Sequence, residues 1–317
     1  MPTRNWGSHT RSVFNRTLLE IAKRDQRIYM ILADIGYGEI EDFAAACPDR
    51  YFNVGVAEQN MTGVACGVAM EGNVAVTYSI ANFPTLRCLE QIRNDVCYHK
   101  ANVKIVIIGG GLAYGALGVS HHSTEDIAIM RALPDMVVMA PADLAEAEAA
   151  TRAMIAHDGP VYYRCGYKKE PDLHAGPIDF RIGRAITARE GTEVTLIGTG
   201  TITYRAFQAA ELLRGAGISA RVVSMHTVKP IDREAIVRAA RETGAILTVE
   251  EHNLSGGLGG AVAEVLAEEG IGIPFSRIAL PDTYVHIVGS HEWLLDYFGF
   301  SPESIAQSVK ALLKKKK

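Results

Sequence analysis

One glutamate stands where a charged side chain is not expected. At helical spacing, Glu58 falls on the same face as Met61, Ala65 and Val68, which is the apolar face of a predicted helix. An isolated ionised carboxylate is costly in such a place, and it neutralises or finds a partner. A glutamate in the first helical turn can also satisfy free backbone N–H groups and is favoured by the helix dipole. Periodicity alone favours this capping interpretation over a chemical role.

Two further polar positions belong to predicted core strands or to the loops that follow them. His121 and His122 lie on a glycine-bounded loop after the strand 103–109, and Arg164 lies on the strand 161–166. Adjacent histidines point in different directions and no third ligand lies at a suitable spacing, so a metal site is not predicted. The loop is better placed to face a ligand crevice, since parallel sheets bind ligands beyond the carboxyl ends of their strands. Arg164 fits either an ion pair with a carboxylate or an anion clamp.

Two glycine-rich stretches, 109–118 and 255–260, do not identify a nucleotide site. The first lacks the G-K-[ST] ending of a P-loop, and it has no G-x-G-x-x-G that leads into a helix with a suitable acidic residue downstream. The second opens a predicted helix and could bind an anion at the helix N-terminus. Close backbone packing is the favoured explanation for it.

Short apolar runs alternate with helical patterns along the chain. Strands are predicted at 28–34, 74–80, 103–109, 136–142, 161–166, 194–200, 220–226, 245–251 and 275–280. The helical patterns between them include 12–25, 85–100, 123–135, 143–159 and 232–244. Strands that are apolar on both faces, separated by amphipathic helices, predict a parallel sheet covered on both sides.

The pattern breaks near residue 170, where proline, glycine and charged residues cluster. We therefore predict an α/β chain of two doubly wound domains. The first, at 1–170, has a mostly parallel sheet; a linker follows at 171–190, and a smaller α/β domain occupies 191–317.

The composition is that of a compact soluble protein: 317 residues, of which 48% are hydrophobic and 21% charged. The net charge of -4 offers no electrostatic footprint for nucleic acid or an anionic membrane. The five cysteines show no C-x-x-C pairing, which favours reduced thiols and a cytoplasmic location. We expect neither a signal peptide nor a membrane span, because no apolar run is long enough.

Several segments, taken in order, resemble the pyrimidine-binding domain of transketolase-type thiamine diphosphate enzymes. They are GVAEQNMTGVACGVAMEG (55–72), QIRN (91–94), SHHSTEDIAIMRALPDM (120–136) and MAPAD (139–143). LIGTG (196–200), ARVVSM (220–225) and VEEHNLSGGLGGAVAEVL (249–266) resemble the C-terminal domain of the same superfamily. Deoxyxylulose-phosphate synthases and the beta subunits of 2-oxo acid dehydrogenases share that domain. The resemblance covers nearly the whole chain.

The resemblance implies thiamine diphosphate as the cofactor. In the family, a glutamate hydrogen-bonded to the pyrimidine ring drives the tautomerisation through which the cofactor deprotonates its own carbon acid, and Glu58 matches that glutamate. The task needs a carboxyl that shares or donates a proton near neutral pH. Phe83 matches an aromatic residue that stacks on the aminopyrimidine, and Asp34 matches an acidic residue near the thiazolium. Ile80 and Leu86 stand where transketolases usually have two more aromatics, which implies an aliphatic-rich pocket.

The resemblance also implies three substrate-binding residues. His121 matches a histidine that contacts oxygens of the donor substrate and takes part in catalysis. Arg11 and Arg164 match two arginines that bind the phosphate of the sugar.

Three positions depart from the family pattern. Gly109 replaces a phosphate-binding histidine, Gly38 replaces a serine, and Leu117 replaces an aspartate that recognises a sugar hydroxyl. Half of the usual phosphate clamp is therefore absent. This favours a sugar other than the ordinary pentose and hexose phosphates, or one whose anion is differently placed.

A partner is implied by what this sequence does not contain. The superfamily holds Mg²⁺ and the cofactor's diphosphate with a G-D-G followed by an asparagine, and no such element occurs here. The resemblance thus implies one half of a split transketolase, whose diphosphate-binding N-terminal subunit would hold most of the Mg²⁺ site. We expect a heterodimer or heterotetramer with self-association about a two-fold axis, and neither a nucleic-acid nor a membrane partner.

The predicted activity is transfer of a two-carbon ketol unit from a ketose, phosphorylated or otherwise anionic, to an aldehyde acceptor. Alternatives are a deoxyxylulose-phosphate synthase-like enzyme, a 2-oxo acid dehydrogenase beta subunit, or a binding module that has lost catalysis. GVAEQNM and the SHH loop favour the first two enzymes over the dehydrogenase. The presence of Glu58, Phe83 and His121 argues against the binding module.

Overall fold

Strands and helices alternate along the chain, as the apolar runs predict. The computed structural model describes residues 9–167 and 169–316. Its strands are β1 (Ile28–Leu32), β2 (Tyr51–Asn53), β3 (Val74–Ile80), β4 (Val103–Ile108), β5 (Val137–Met139), β6 (Val161–Cys165), β7 (Ile186–Arg189), β8 (Val194–Gly198), β9 (Ala220–Ser224), β10 (Thr227–Lys229), β11 (Ile246–Asn253) and β12 (Phe275–Leu280). Its α-helices are α1 (Thr10–Ala22), α2 (Glu41–Ala46), α3 (Glu58–Met70), α4 (Asn82–Thr85), α5 (Leu89–Gln91), α6 (Asp126–Ala132), α7 (Leu144–Ala156), α8 (Thr203–Gly215), α9 (Arg233–Thr243), α10 (Leu258–Glu268), α11 (His291–Tyr297) and α12 (Pro302–Leu313).

The strands form two sheets. The described residues place seven strands in the first sheet, in the order β10-β5-β6-β4-β3-β1-β2, and five in the second, in the order β12-β11-β8-β9-β7. The strand pairs are parallel except β10 with β5 and β7 with β9. Two mostly parallel sheets with covering helices confirm the predicted α/β fold class.

The first sheet is buried on both faces, because its strands are apolar at consecutive positions. All six residues of β4 are buried. Ile105 and Ile107 pack into one apolar cluster, which also contains Met61 of α3. Val106 packs into the opposite cluster together with Phe14 of α1. Side chains alternate across a strand, so a continuous apolar run supplies both layers of a covered parallel sheet.

Three strands that the sequence pattern did not predict lie at sheet edges: β2, β7 and β10. β7 falls within the predicted linker 171–190, and its residues are half-buried or exposed. β10 comes from the second half of the chain yet pairs with β5 of the first sheet. These strands have three or four residues, and a short edge strand carries too little apolar pattern to be recognised from sequence.

The helix predicted at 85–100 is wrong as a single element. α4 ends at Thr85, α5 covers Leu89–Gln91, and a π-helical segment covers Ile92–Cys97. Pro84 lies within α4, and proline removes a backbone donor that a continuous helix needs. π-Helical turns are rare and occur frequently at functional sites.

Some predicted bounds cannot be compared with the structure, because residues 1–8, 168 and 317 lie outside the described ranges. Among the described residues, no helix is long and apolar enough to cross a bilayer. The five cysteines are free and buried.

Candidate active site

The predicted site residues gather where the strands of the first sheet end. Asp34 lies just after β1, Ile80 ends β3, and Phe83 lies on α4 directly after β3. Glu58 is the first residue of α3, and His121 lies on the loop after β4. Carboxyl ends of parallel strands share one edge, which is where such sheets bind their ligands.

Glu58 is buried, and its partner is an arginine. The residue is 3% exposed, next to Met61 and Ala65, which are fully buried. Its Oε2 accepts a hydrogen bond of 2.5 Å from Nη1 of Arg87. The start of α3 receives no side-chain cap. The capping interpretation is therefore wrong: the carboxylate is satisfied by a cation that the sequence pattern did not point to.

Phe83 joins Glu58 to His121. The guanidinium carbon of Arg87 lies 5.0 Å from the centre of the Phe83 ring, on its face. The His121 ring meets the Phe83 ring edge to face, with 5.2 Å between their centres. The structure thus brings together three predicted residues, Glu58, Phe83 and His121, around a half-exposed arginine.

The two adjacent histidines take different directions, as predicted. Nδ1 of His121 lies 3.0 Å from the Ser120 hydroxyl, and the ring is partly exposed. His122 is buried, with Nε2 3.3 Å from the carbonyl oxygen of Gly115. Burial lowers the pKa of His122. The side-chain amide of Asn82 donates to the carbonyl oxygen of His122, which ties this loop to α4.

Asp34 sits in a polar, exposed turn. It is a non-glycine residue with a positive φ of 55°. Its Oδ1 accepts hydrogen bonds from Asn53 at 3.1 Å and from the Tyr37 hydroxyl at 3.0 Å. The Asn53 bond, and then the Tyr37 bond, lowers the pKa of Asp34. An ionised carboxylate is therefore held at the mouth of the crevice, where the sequence placed it.

Arg11 shares its charge with a carboxylate. Its Nη2 donates to Oε1 of Glu39 at 3.0 Å, and its guanidinium lies 5.4 Å from the centre of the Tyr167 ring. Its Nε is buried and has no hydrogen-bond partner among the described residues. Glu39 directly follows Gly38, one of the positions that depart from the family pattern. A predicted anion-binding cation is thus partly neutralised by a neighbour that the sequence did not single out.

Arg164 also has a carboxylate partner. Its Nε donates to Asp126 at 2.8 Å, and its Nη2 donates to the carbonyl oxygens of Ser123 and Glu251. The ion-pair interpretation therefore describes this arginine in the structure. Arg164 also lines a cavity of about 220 Å³ between the two sheets, together with Glu170.

A tyrosine fills the place that a side chain at position 109 would take. Gly109 has a φ of 73°, and a Cβ built on it would lie 2.6 Å from Cδ2 of Tyr114. The Tyr114 ring lies 4.3 Å from the Tyr167 ring, measured between centres, and 5.9 Å from that of His121. Where the family has a histidine, this crevice therefore has an aromatic wall. Leu117, the third departure, is 55% exposed.

Three residues of the site were missed by sequence reasoning: Arg87, Glu39 and Tyr114. Arg87 lies in a stretch predicted to be an ordinary amphipathic helix, where an arginine is usually solvated. Glu39 lies in a loop without a motif. The glycine at position 109 was the one available signal for Tyr114, since a missing side chain leaves room for another.

The residues present fit the pyrimidine half of thiamine diphosphate. A planar, stacking base with hydrogen-bonding nitrogens needs an aromatic face and a carboxyl close together, and Phe83 and Glu58 provide them through a shared neighbour, Arg87. Ile80 at the end of β3 adds a half-buried aliphatic side chain. No three His, Cys, Asp or Glu side chains of the described chain cluster as metal ligands do.

Comparison with known proteins agrees with this geometry. The transketolase pyrimidine-binding domain model matches residues 7–167, and the transketolase C-terminal domain model matches residues 183–305. One of the subunits of the apulose-4-phosphate transketolase of Phocaeicola vulgatus is 39% identical over 307 residues, covering 96% of this chain and 97% of that subunit. The 6-deoxy-6-sulfo-D-fructose transketolase subunit SqwH of Clostridium sp. (strain MSTE9) is 38% identical over 307 residues, covering 96% and 95%.

A solved structure described as a split gene transketolase in an inactive beta4 tetramer is also similar. It superposes with a TM-score of 0.89 at 40% identity, covering 98% of this chain and 100% of that chain. These matches confirm the resemblance that the sequence motifs indicate. The chain therefore belongs to the transketolase family, as a subunit that carries the pyrimidine-binding and C-terminal domains.

Proposed function

We propose that this chain is the pyrimidine-side subunit of a two-subunit transketolase that moves a two-carbon ketol unit from a ketose to an aldehyde. The observation that carries the proposal is the buried carboxylate of Glu58 beside the Phe83 ring, at the carboxyl edge of the first sheet. When bound, thiamine diphosphate supplies the nucleophilic carbon for breaking and making the ketose carbon–carbon bond. The protein supplies orientation, proton transfer and exclusion of water.

Each site residue has a task in this proposal. Glu58 holds or shares a proton at its carboxyl oxygen, next to the base, in a position shielded from water. Phe83 and Ile80 give the base an apolar seat, and Asp34 places a negative charge at the mouth of the crevice. His121 has Nδ1 against Ser120, so in the described chain Nε2 is the nitrogen that can meet a substrate oxygen.

The substrate in this proposal is an anionic ketose. Arg11 and Arg164 are the cations available to it, and Nε of Arg11 is a buried donor without a partner among the described residues. Both cations already have carboxylate partners, Glu39 and Asp126. A weak anion clamp follows, which suits a sugar whose anion is not the usual terminal phosphate. The two relatives above are named for apulose-4-phosphate and 6-deoxy-6-sulfofructose, which are anionic sugars of unusual form.

The site is proposed to be completed by a partner subunit that holds the diphosphate and Mg²⁺. Large apolar side chains are exposed along the rim of the crevice, including Tyr37 at 78% and Val56 at 76%. Exposed apolar surface of this kind marks a protein interface. The similar solved structure, described as a beta4 tetramer, is also described as inactive. We propose a heterotetramer with two sites, working in the reducing cytoplasm that five free, buried cysteines suit.

Reconstitution tests this proposal. The chain and its partner are purified separately, mixed with thiamine diphosphate and Mg²⁺, and supplied with a panel of ketose donors and aldehyde acceptors. We expect ketol transfer from the complex alone, with neither of the two chains active when assayed singly. Full activity of the isolated chain, or a complex that decarboxylates 2-oxo acids instead, would contradict it.

A further inference from the structure

Arg87 contacts both side chains that are proposed to hold the base of the cofactor. Its Nη1 donates to Oε2 of Glu58 at 2.5 Å, and its guanidinium carbon lies 5.0 Å from the centre of the Phe83 ring. A base that is hydrogen-bonded to Glu58 and stacked on Phe83 must occupy the space that joins these two side chains. The guanidinium spans that space in the free chain.

The guanidinium reproduces the interactions that the base needs. It is a planar, delocalised N–C–N group, it donates to carboxylates and it stacks on aromatic rings. An aminopyrimidine is also planar, carries hydrogen-bonding nitrogens and stacks on aromatics. Arg87 therefore makes the same pair of contacts with Glu58 and Phe83 that are expected of the base, and the two groups compete for one place.

The arginine is held so that it can leave without unfolding the site. Its side chain is 48% exposed, whereas that of Glu58 is 4% exposed. The carbonyl oxygen of Arg87 accepts a hydrogen bond from Gln59 at 3.1 Å, so its backbone is tied to the first turn of α3. The guanidinium therefore reaches inward from an open side, and rotation about its long side chain frees both Glu58 and Phe83.

Glu58 gains a counter-ion from this contact while no cofactor is present. A buried carboxylate without a partner is strongly unfavourable, and removing one member of such a pair leaves the other uncompensated. Cofactor binding must break the contact between Arg87 and Glu58, so the contact lowers the affinity for the cofactor.

We propose that Arg87 occupies the pyrimidine seat in the free subunit and is displaced when the cofactor binds. This inference rests on the proposed function, because it takes Glu58 and Phe83 as the groups that bind the base. It goes beyond that function by naming a gate: the chain keeps its site paired and closed until cofactor and partner arrive. Arg87 is a positioning residue in this scheme and takes no part in proton transfer.

The test measures binding of thiamine diphosphate with Mg²⁺ to the complex of the chain with its partner, by calorimetry. Arg87→Met removes the competing cation and keeps an apolar stem over Phe83. We expect a Kd about tenfold lower than that of the unmodified complex. Arg152→Met is the matched control, because Arg152 is 46% exposed and pairs with Glu20 and Glu148 far along the chain. It should leave Kd unchanged.

A second readout is the melting temperature of the isolated chain. Arg87→Met should lower it, because Glu58 loses its counter-ion, and Arg152→Met should leave it nearly unchanged. If Arg87→Met does not fold, Arg87→Lys keeps a cation but not the planar fork, and we expect a Kd about threefold lower. An equal or higher Kd for the variant that folds overturns the gate. Absence of cofactor binding by the unmodified complex would instead overturn the proposed function.

Discussion

Gly109 gives the most quantitative test of how this crevice is built. Its backbone has a φ of 73°, where a side chain is strained, and an added Cβ would lie 2.6 Å from Cδ2 of Tyr114. Gly109→Ala therefore carries two costs. A left-handed conformation costs a non-glycine residue about 1–2 kcal/mol. Overpacking against the ring costs about 1–3 kcal/mol more. The free energy of unfolding should fall by about 2–5 kcal/mol in total.

Gly217→Ala separates the two costs. Gly217 has a φ of 77° and nothing within 4 Å of an added Cβ, so this variant has the backbone strain without the clash. Urea unfolding of the isolated chain, followed by circular dichroism, measures each variant. A loss of about 1–2 kcal/mol is expected for Gly217→Ala.

The clash itself is tested by removing the ring. In a double-mutant cycle, Tyr114→Ala should relieve Gly109→Ala, with a coupling free energy of about 1–2 kcal/mol. If Gly109→Ala costs no more than Gly217→Ala, or if the cycle shows no coupling, Tyr114 does not fill the position of the missing side chain. The account of the aromatic wall would then be wrong.

Two other predictions concern charged groups around the crevice. Burial raises the pKa of Glu170 from 4.5 to about 7, so the stability it contributes is complete below pH 4.5 and is lost as the pH rises through 7. The free energy of unfolding should therefore decline over this range by up to ~3 kcal/mol, and Glu170→Gln should remove that decline in urea unfolding at pH 5, 6 and 7; an unchanged slope would exclude Glu170 as its source. Glu39→Gln should free Arg11, whose Nη2 it holds at 3.0 Å, for a substrate anion. The KM of the complex for an anionic ketose should then fall a few-fold with kcat unchanged, whereas an unchanged KM would show that Arg11 does not meet the anion.

Sequence reasoning found the part of the site that repeats a pattern. Helical periodicity marked Glu58 as a carboxylate on an apolar face, and the structure places it there, buried. The apolar strands predicted the parallel sheet, whose carboxyl edge brings Phe83, His121 and Asp34 into one crevice. Regular elements are predictable because burial of an apolar face requires a fixed spacing.

What sequence reasoning could not supply is the set of tertiary partners. Arg87 lies 29 residues from Glu58, and Asp126 lies 38 residues from Arg164. Neither spacing is periodic, so no local pattern links these pairs, and both interpretations of Arg164 stayed open until its neighbours were placed. The edge strand β10 likewise depends on the second half of the chain folding back onto β5.

The central claim is that Glu58 activates the cofactor, and its direct test is Glu58→Gln in the reconstituted complex. Glutamine keeps the size of the side chain but cannot hold or donate a proton as a carboxyl does. We expect kcat for ketol transfer to fall by a factor of about 10²–10⁴ while the complex still assembles. Glu71→Gln, at the exposed C-terminal end of the same helix, is the control and should keep normal activity. Ketol transfer within about threefold of the unmodified rate by Glu58→Gln would contradict the account, since acid–base catalysis supplies far more than that factor.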